Sequence, residues 1–163
     1  MPLVACYSIF IKLVCLGLLL RLAWSDLQWR RLPNLLVLGV VLCYLLHVPA
    51  APTGGLWGHL ATGLLALLAG MALTAAGAIG AGDAKLAAAV LCWAGPASCL
   101  PTLLVATQSG LLLALLGLLA RRCLQNGKAG AFAGLLHCLT VVRGVPYGVA
   151  LAAGGVFALR FSS

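Results

Sequence analysis

Long apolar runs, cut by short polar or Gly/Pro-rich breaks, set the pattern of the chain. The first run is Leu3 to Trp24, closed by Ser25-Asp26-Leu27-Gln28-Trp29-Arg30-Arg31. The second is Leu32 to Val48, and Pro49 to Gly55 reads as a turn because it holds two prolines and two glycines. The third is Leu56 to Ile79, followed by Gly80-Ala81-Gly82-Asp83-Ala84-Lys85. A short fourth run, Leu86 to Ala94, borrows residues from that segment if it is to span, and Gly95-Pro96 opens another turn. The fifth is Leu100 to Ala120, with Pro101 near its start, and the last is Val145 to Leu159. Between them, Ala129 to Val142 is apolar enough to lie on a membrane or dip into it. A spanning helix needs about 20 apolar residues. The pattern therefore predicts an all-α, polytopic membrane bundle of about six transmembrane helices, in one domain over residues 1–163. No internal repeat and no low-complexity tail interrupts it.

Composition sharpens this picture. Only 7% of residues are charged, against roughly 25% in a soluble domain, and the mean hydropathy is +1.17. A soluble fold of this size has no interior large enough for that much apolar surface, whereas lipid accepts it as solvent. The first run carries Lys12 and Arg21 and has no basic segment before it, so it reads as a retained span rather than a secretory signal. The seven cysteines, Cys6, Cys15, Cys43, Cys92, Cys99, Cys123 and Cys138, form no C-x-x-C pair and mostly lie within apolar runs. They read as small packing residues, and no metal site or cofactor is expected.

The net charge of +8 comes from ten Lys/Arg and two acids. The basic residues sit at the ends of apolar runs without interleaved aromatics, which points to topology and anionic headgroups and away from nucleic acid. With the Asp26 patch in the cytoplasm, Arg30, Arg31, Lys85, Arg121, Arg122, Lys128 and Arg143 all fall on that side. The turns Pro49–Gly55 and Gly95–Leu100 carry no charge, and Arg160 alone falls outside. This orientation satisfies the positive-inside rule and puts the N-terminus outside. Trp24, Trp29 and Trp57 fit an interfacial belt, and His47, His59 and His137 are given no catalytic role.

The two acids are Asp26 and Asp83. Two spans separate them, so the chain returns to one face and both stand at cytoplasmic helix ends. An Asp at mid-bilayer costs about 2.5–3.5 kcal/mol on insertion scales, which makes ionisable groups near spans functional suspects. Two carboxyls that approach closely do not both ionise readily. One keeps a proton, giving an acid and a base at one site. The base activates water to attack an amide, and the acid protonates the oxyanion or the leaving amine. Each residue also has a structural alternative. Asp26 can cap a cytoplasmic helix or pair with Arg30, and Asp83 can cap the fourth span. Gly80 and Gly82 let a helix or a substrate backbone come close, or simply serve helix packing. What singles the pair out is that they are the only acids, on one face, in apolar surroundings.

Three segments together resemble the prepilin peptidase family, the type IV prepilin leader peptidases of the Gly-x-Gly-Asp class. Asp26 with Arg31-Leu32-Pro33-Asn34 is similar to the family's aspartate and Arg-hydrophobic-Pro-Asn motif. Gly80-Ala81-Gly82-Asp83-Ala84-Lys85 resembles its Gly-x-Gly-Asp-x-Lys motif, and Val145-Pro146-Tyr147-Gly148 its Pro-Tyr/Phe-Gly signature. Order, spacing and outline cover nearly the whole chain. The resemblance implies an aspartic endopeptidase of the bacterial inner membrane with Asp26 and Asp83 as its catalytic pair. It would remove the cytoplasmic leader from a prepilin or pseudopilin. Gly80, Gly82, Lys85, Pro33, Asn34, Pro146, Tyr147 and Gly148 are then the supporting residues. Pro33 and Asn34 also suit a plain helix start, and Lys85 suits either headgroup anchoring or tuning of Asp83. The insertion with paired C-x-x-C motifs of the larger, N-methylating members is missing. The chain thus resembles the short, peptidase-only branch of Flp-type tight-adherence pili.

Two other readings stand beside this one. A signal-peptide-peptidase or presenilin-like enzyme would show a Tyr-Asp pair and a Pro-Ala-Leu motif, and neither occurs. A small transporter or pilus-assembly subunit would use Asp26 and Asp83 as proton or cation sites and would cleave nothing. The pattern leaves the oligomeric state open.

Overall fold

The computed structural model of the chain describes residues 2–29, 32–50, 55–125 and 147–161. Over them the chain forms α1 (Pro2–Trp29), α2 (Asn34–His47), a single 3-10 turn (Val48–Ala50), α3 (Leu56–Ala75), α4 (Ala81–Gln125) and α5 (Tyr147–Phe161). The described residues contain no strand, and the protein is an all-α bundle of membrane type. Leu3–Trp29, Leu56–Ala75 and Ala81–Leu119 are long and apolar enough to cross a membrane, while Asn34–His47 and Tyr147–Arg160 are shorter apolar helices. Large side chains such as Leu3, Leu35, Leu65 and Leu100 face outward. That arrangement is stable in lipid and unfavourable in water. The expected apolar segment Ala129 to Val142 lies outside the described residues.

The helices number five among the described residues, where about six spans were expected, because the fourth and fifth apolar runs are joined in α4. The join is a kink between two helical segments, and Pro96 suits the first turn of the second. The path of α4 still breaks at Gly95, which has φ 66° and ψ −179°, a region open almost only to glycine. Neighbouring residues of α5 reveal how far it bends. A Cβ at Gly155 would lie 3.2 Å from Val90, and one at Gly154 would lie 3.0 Å from Ala106. Val90 and Ala106 would stand about 24 Å apart on a straight helix. Adjacent glycines touch both only because α4 turns back at Gly95.

The break carries its own repair. Cys92 would normally give its carbonyl to the N–H four residues on, but that residue is Pro96, which has none. His59 of α3 supplies the donor instead, with Nδ1 2.9 Å from the Cys92 oxygen. A carbonyl only accepts, so Nδ1 carries the proton. The His59 ring also fills the space where a side chain at Gly95 would begin. Tyr44 stacks on His59 with ring centroids 5.4 Å apart. Trp93 meets Tyr44 edge-on and donates from Nε1 to the Val40 carbonyl at 2.9 Å. This aromatic knot joins α2, α3 and α4 at the end of the bundle away from the two aspartates.

The other end is shaped by the exit from α3. The third apolar run was expected to reach Ile79, but the helix stops at Ala75. Gly77, at φ 74°, closes it, with Ala78 N–H donating to Leu73 O at 2.9 Å and Gly77 N–H to Thr74 O at 3.0 Å. These two bonds are the Schellman pattern, and they aim the chain into Gly80 and α4. Antiparallel packing of α3 on α4 is close. A Cβ at Gly70 would lie 2.8 Å from the Ala84 Cβ, and one at Gly63 would lie 2.9 Å from the Cys92 Cβ. The spacing of seven residues, two turns, keeps both glycines on one face. Cys15, Cys43 and Cys92 are buried, free thiols in the core, as small packing residues would be.

Candidate active site

Asp26 lies in the last turn of α1 and is only 6% exposed. The helix extends past the apolar run to Trp29, so this acid is part of α1 and not of a connecting loop. Its Oδ2 accepts a hydrogen bond from the backbone N–H of Gly148, in the first turn of α5, at 2.8 Å. Asp83 lies in the first turn of α4 and is half-buried. It stands within electrostatic reach of Asp26. The carboxyl of Asp83 also turns back over Gly80, whose backbone N–H it meets. A Cβ at Gly80 would lie 3.1 Å from Asp83 Oδ2.

The remaining expected residues divide into those that join the centre and those that brace it. Gly82 lies under Leu32, where a Cβ would come 3.2 Å from the Leu32 Cβ, so the glycine lets α2's lead-in close on α4. Pro33 precedes α2, and its carbonyl accepts from Leu36 N at 3.1 Å and Val37 N at 3.3 Å, which makes it a helix starter. Asn34 turns its side-chain oxygen to Lys85, accepting from Nζ at 3.2 Å in an exposed position. Tyr147 opens α5, with its ring half-exposed beside Gly110. Pro146, Arg30 and Arg31 lie outside the described residues, so the Arg30 alternative for Asp26 falls there too.

Chemically, the centre offers one buried and one half-exposed carboxyl at the junction of α1, α4 and α5. Such a pair can hold a single proton between two groups and so present an acid and a base to the same substrate. No three His, Cys, Asp or Glu residues gather as a metal site among the described residues. Two contributors escaped the sequence pattern. Leu32 counted only as the variable position between Arg31 and Pro33, yet it packs on Gly82. His59 was set aside, yet it completes the α4 break. A signal for His59 existed, since Pro96 four residues after Cys92 leaves a carbonyl in need of a donor.

Residues 13–115 match the type IV leader peptidase family, a stretch of well over half the chain that includes Asp26, Asn34 and Asp83. No curated protein and no solved structure matches the chain.

Proposed function

The chain belongs to the type IV leader peptidase family, and from that premise we propose that it is an aspartic endopeptidase removing the leader of Flp-type prepilins through Asp26 and Asp83. The observation that carries this reading is that the only two acids in the chain stand within electrostatic reach of each other. They come from helix ends 57 positions apart in sequence (83 − 26). In lipid two acids stay unneutralised only at a cost, so their approach calls for a use.

The proposed chemistry balances without a cofactor. One carboxylate takes a proton from water as the oxygen adds to the scissile carbonyl carbon. The protonated partner gives its proton to the carbonyl oxygen. Collapse of the tetrahedral intermediate breaks the C–N bond, and the proton taken from water passes to the leaving amine. One water is consumed, and the pair returns to its starting state after one proton moves from the intermediate's hydroxyl to the carboxylate. The basic residues that the sequence sets near the two aspartates support a centre on the cytoplasmic side of an inner membrane. A substrate helix lying in the bilayer would present its leader there.

The substrate class is tested with the purified full chain in detergent, incubated separately with an Flp-type prepilin, another type IV prepilin and a secretory precursor. Masses of the products report leader removal. The expected result is cleavage of the Flp-type prepilin well ahead of the other two. Equal cleavage of both prepilins would withdraw the Flp assignment, and no cleavage of either would withdraw the peptidase reading.

A further inference from the structure

We propose that the first turn of α5 is a working part of the catalytic centre, in which the Gly148 backbone N–H holds Asp26 in place and the missing side chain at 148 makes room for it. The proposal rests on the peptidase reading above. In it Gly148 is a positioning residue, acting on the reaction through Asp26.

The first N–H groups of any helix have no acceptor within it. Where such a group is buried, as at Gly148, water does not satisfy it and the protein must. The first turn of α5 contains no acid of its own. The acceptor comes from α1 instead, since Asp26 Oδ2 takes the Gly148 N–H at 2.8 Å in a buried position. The amide and the positive end of the helix both favour a carboxylate there. Away from water such a bond orients its acceptor strongly.

The identity of residue 148 follows from space and not from backbone conformation. Positive φ occurs at Gly77 and Gly95, whereas Gly148 lies inside α5 where any L-residue fits. Glycine is in fact a poor helix residue. A Cβ at 148 would lie 2.8 Å from Asp26 Oδ2, 2.9 Å from Cγ and 3.0 Å from Cβ. It would therefore meet the whole side chain, including its root, and no rotation of the carboxyl tip relieves that.

The seat is itself fixed from behind. Gly154 lies against Ala106, and Gly155 lies against Leu19 and Val90. These contacts set the height of α5 against both α1 and α4, the helices that carry Asp26 and Asp83. The register of α5 thereby determines where Asp26 stands relative to Asp83.

Two measurements on the full chain in detergent test this. The first is kinetic. Gly148→Ala should reach the membrane at normal levels and lose about 100-fold in kcat, as a displacement of about 1 Å can cause. Its KM should stay within about threefold, because leader binding is untouched. A merely structural glycine would lower the unfolding temperature without that split, as Gly63→Ala should at the α3/α4 contact. The second measurement needs no activity. In 15N-glycine-labelled protein the Gly148 amide is identified by its absence in Gly148→Ala. Its hydrogen exchange should be slow in the wild type, at least about tenfold faster in Asp26→Ala, and unchanged in Asp83→Ala. An amide indifferent to Asp26→Ala, or a Gly148→Ala enzyme with normal kcat, overturns the proposal. If the amide depends on Asp26 but the wild type cuts no prepilin, the peptidase reading fails and the catalytic part of this proposal falls with it.

Discussion

Lys85 donates from Nζ to Asn34 Oδ1 at 3.2 Å, across 51 positions of sequence, and ties the start of α4 to the start of α2. Leu32 closes on Gly82 beside it. The two contacts form one seam flanking Asp83. An exposed hydrogen bond of this kind contributes no more than about 1 kcal/mol. Asn34→Ala and Lys85→Met should therefore each keep activity within about tenfold of wild type, with a double-mutant coupling of about 0.5–1 kcal/mol in kcat/KM. Strictly additive losses in that cycle would mean that the two side chains act apart.

At the opposite end, His59 is the donor that replaces the amide Pro96 lacks. His59→Leu keeps much of the ring's volume but strands the Cys92 carbonyl, at a cost of about 1–3 kcal/mol. Gly95→Ala should cost at least as much, because φ 66° with ψ −179° is strained for alanine by about 1–3 kcal/mol. The imidazole occupies that space as well. Thermal unfolding in detergent measures both. His59→Asn, which retains an N–H donor, should lie between His59→Leu and wild type. If His59→Leu unfolds at the wild-type temperature, the bond to Cys92 does not hold the break.

Small residues at the α3/α4 contact allow a third test. Gly70→Leu must push α3 away from Ala84, where even a Cβ would come within 2.8 Å. Overpacking of this sort costs about 1–3 kcal/mol. Gly17 on α1 has nothing within 4 Å of where a Cβ would go. Gly17→Ala should thus be neutral or stabilising by up to about 1 kcal/mol. Equal losses from the two substitutions would show that glycine flexibility matters here, and not close packing.

These contacts also mark what the sequence makes legible. The apolar runs foretell an all-α membrane bundle because lipid imposes helix length and hydropathy directly on the residues. Asp26 and Asp83 stand out because nothing else in the chain is acidic. The helix count was less legible. Gly95-Pro96 reads as a turn between two spans, and the chain does break there, but the two segments of α4 meet at a kink without a separate loop. Least legible were the cross-chain contacts: Leu32 on Gly82, Lys85 on Asn34, His59 on Cys92. Each joins residues far apart in sequence, and local periodicity carries no information about such pairs. The glycine at 148 belongs to a recognisable signature, but its reason is a carboxyl on another helix.

The central claim is that Asp26 and Asp83 act as one catalytic unit on a prepilin leader. The most direct test compares the full chain with Asp26→Asn, Asp83→Asn and the double variant, each at matched membrane levels, using single-turnover cleavage of an Flp-type prepilin. Removing one member of a unit disables it about as fully as removing both. Either single variant should lose nearly all cleavage, and the double variant should be no worse. Substantial cleavage by either single variant, or clearly additive losses, would contradict it.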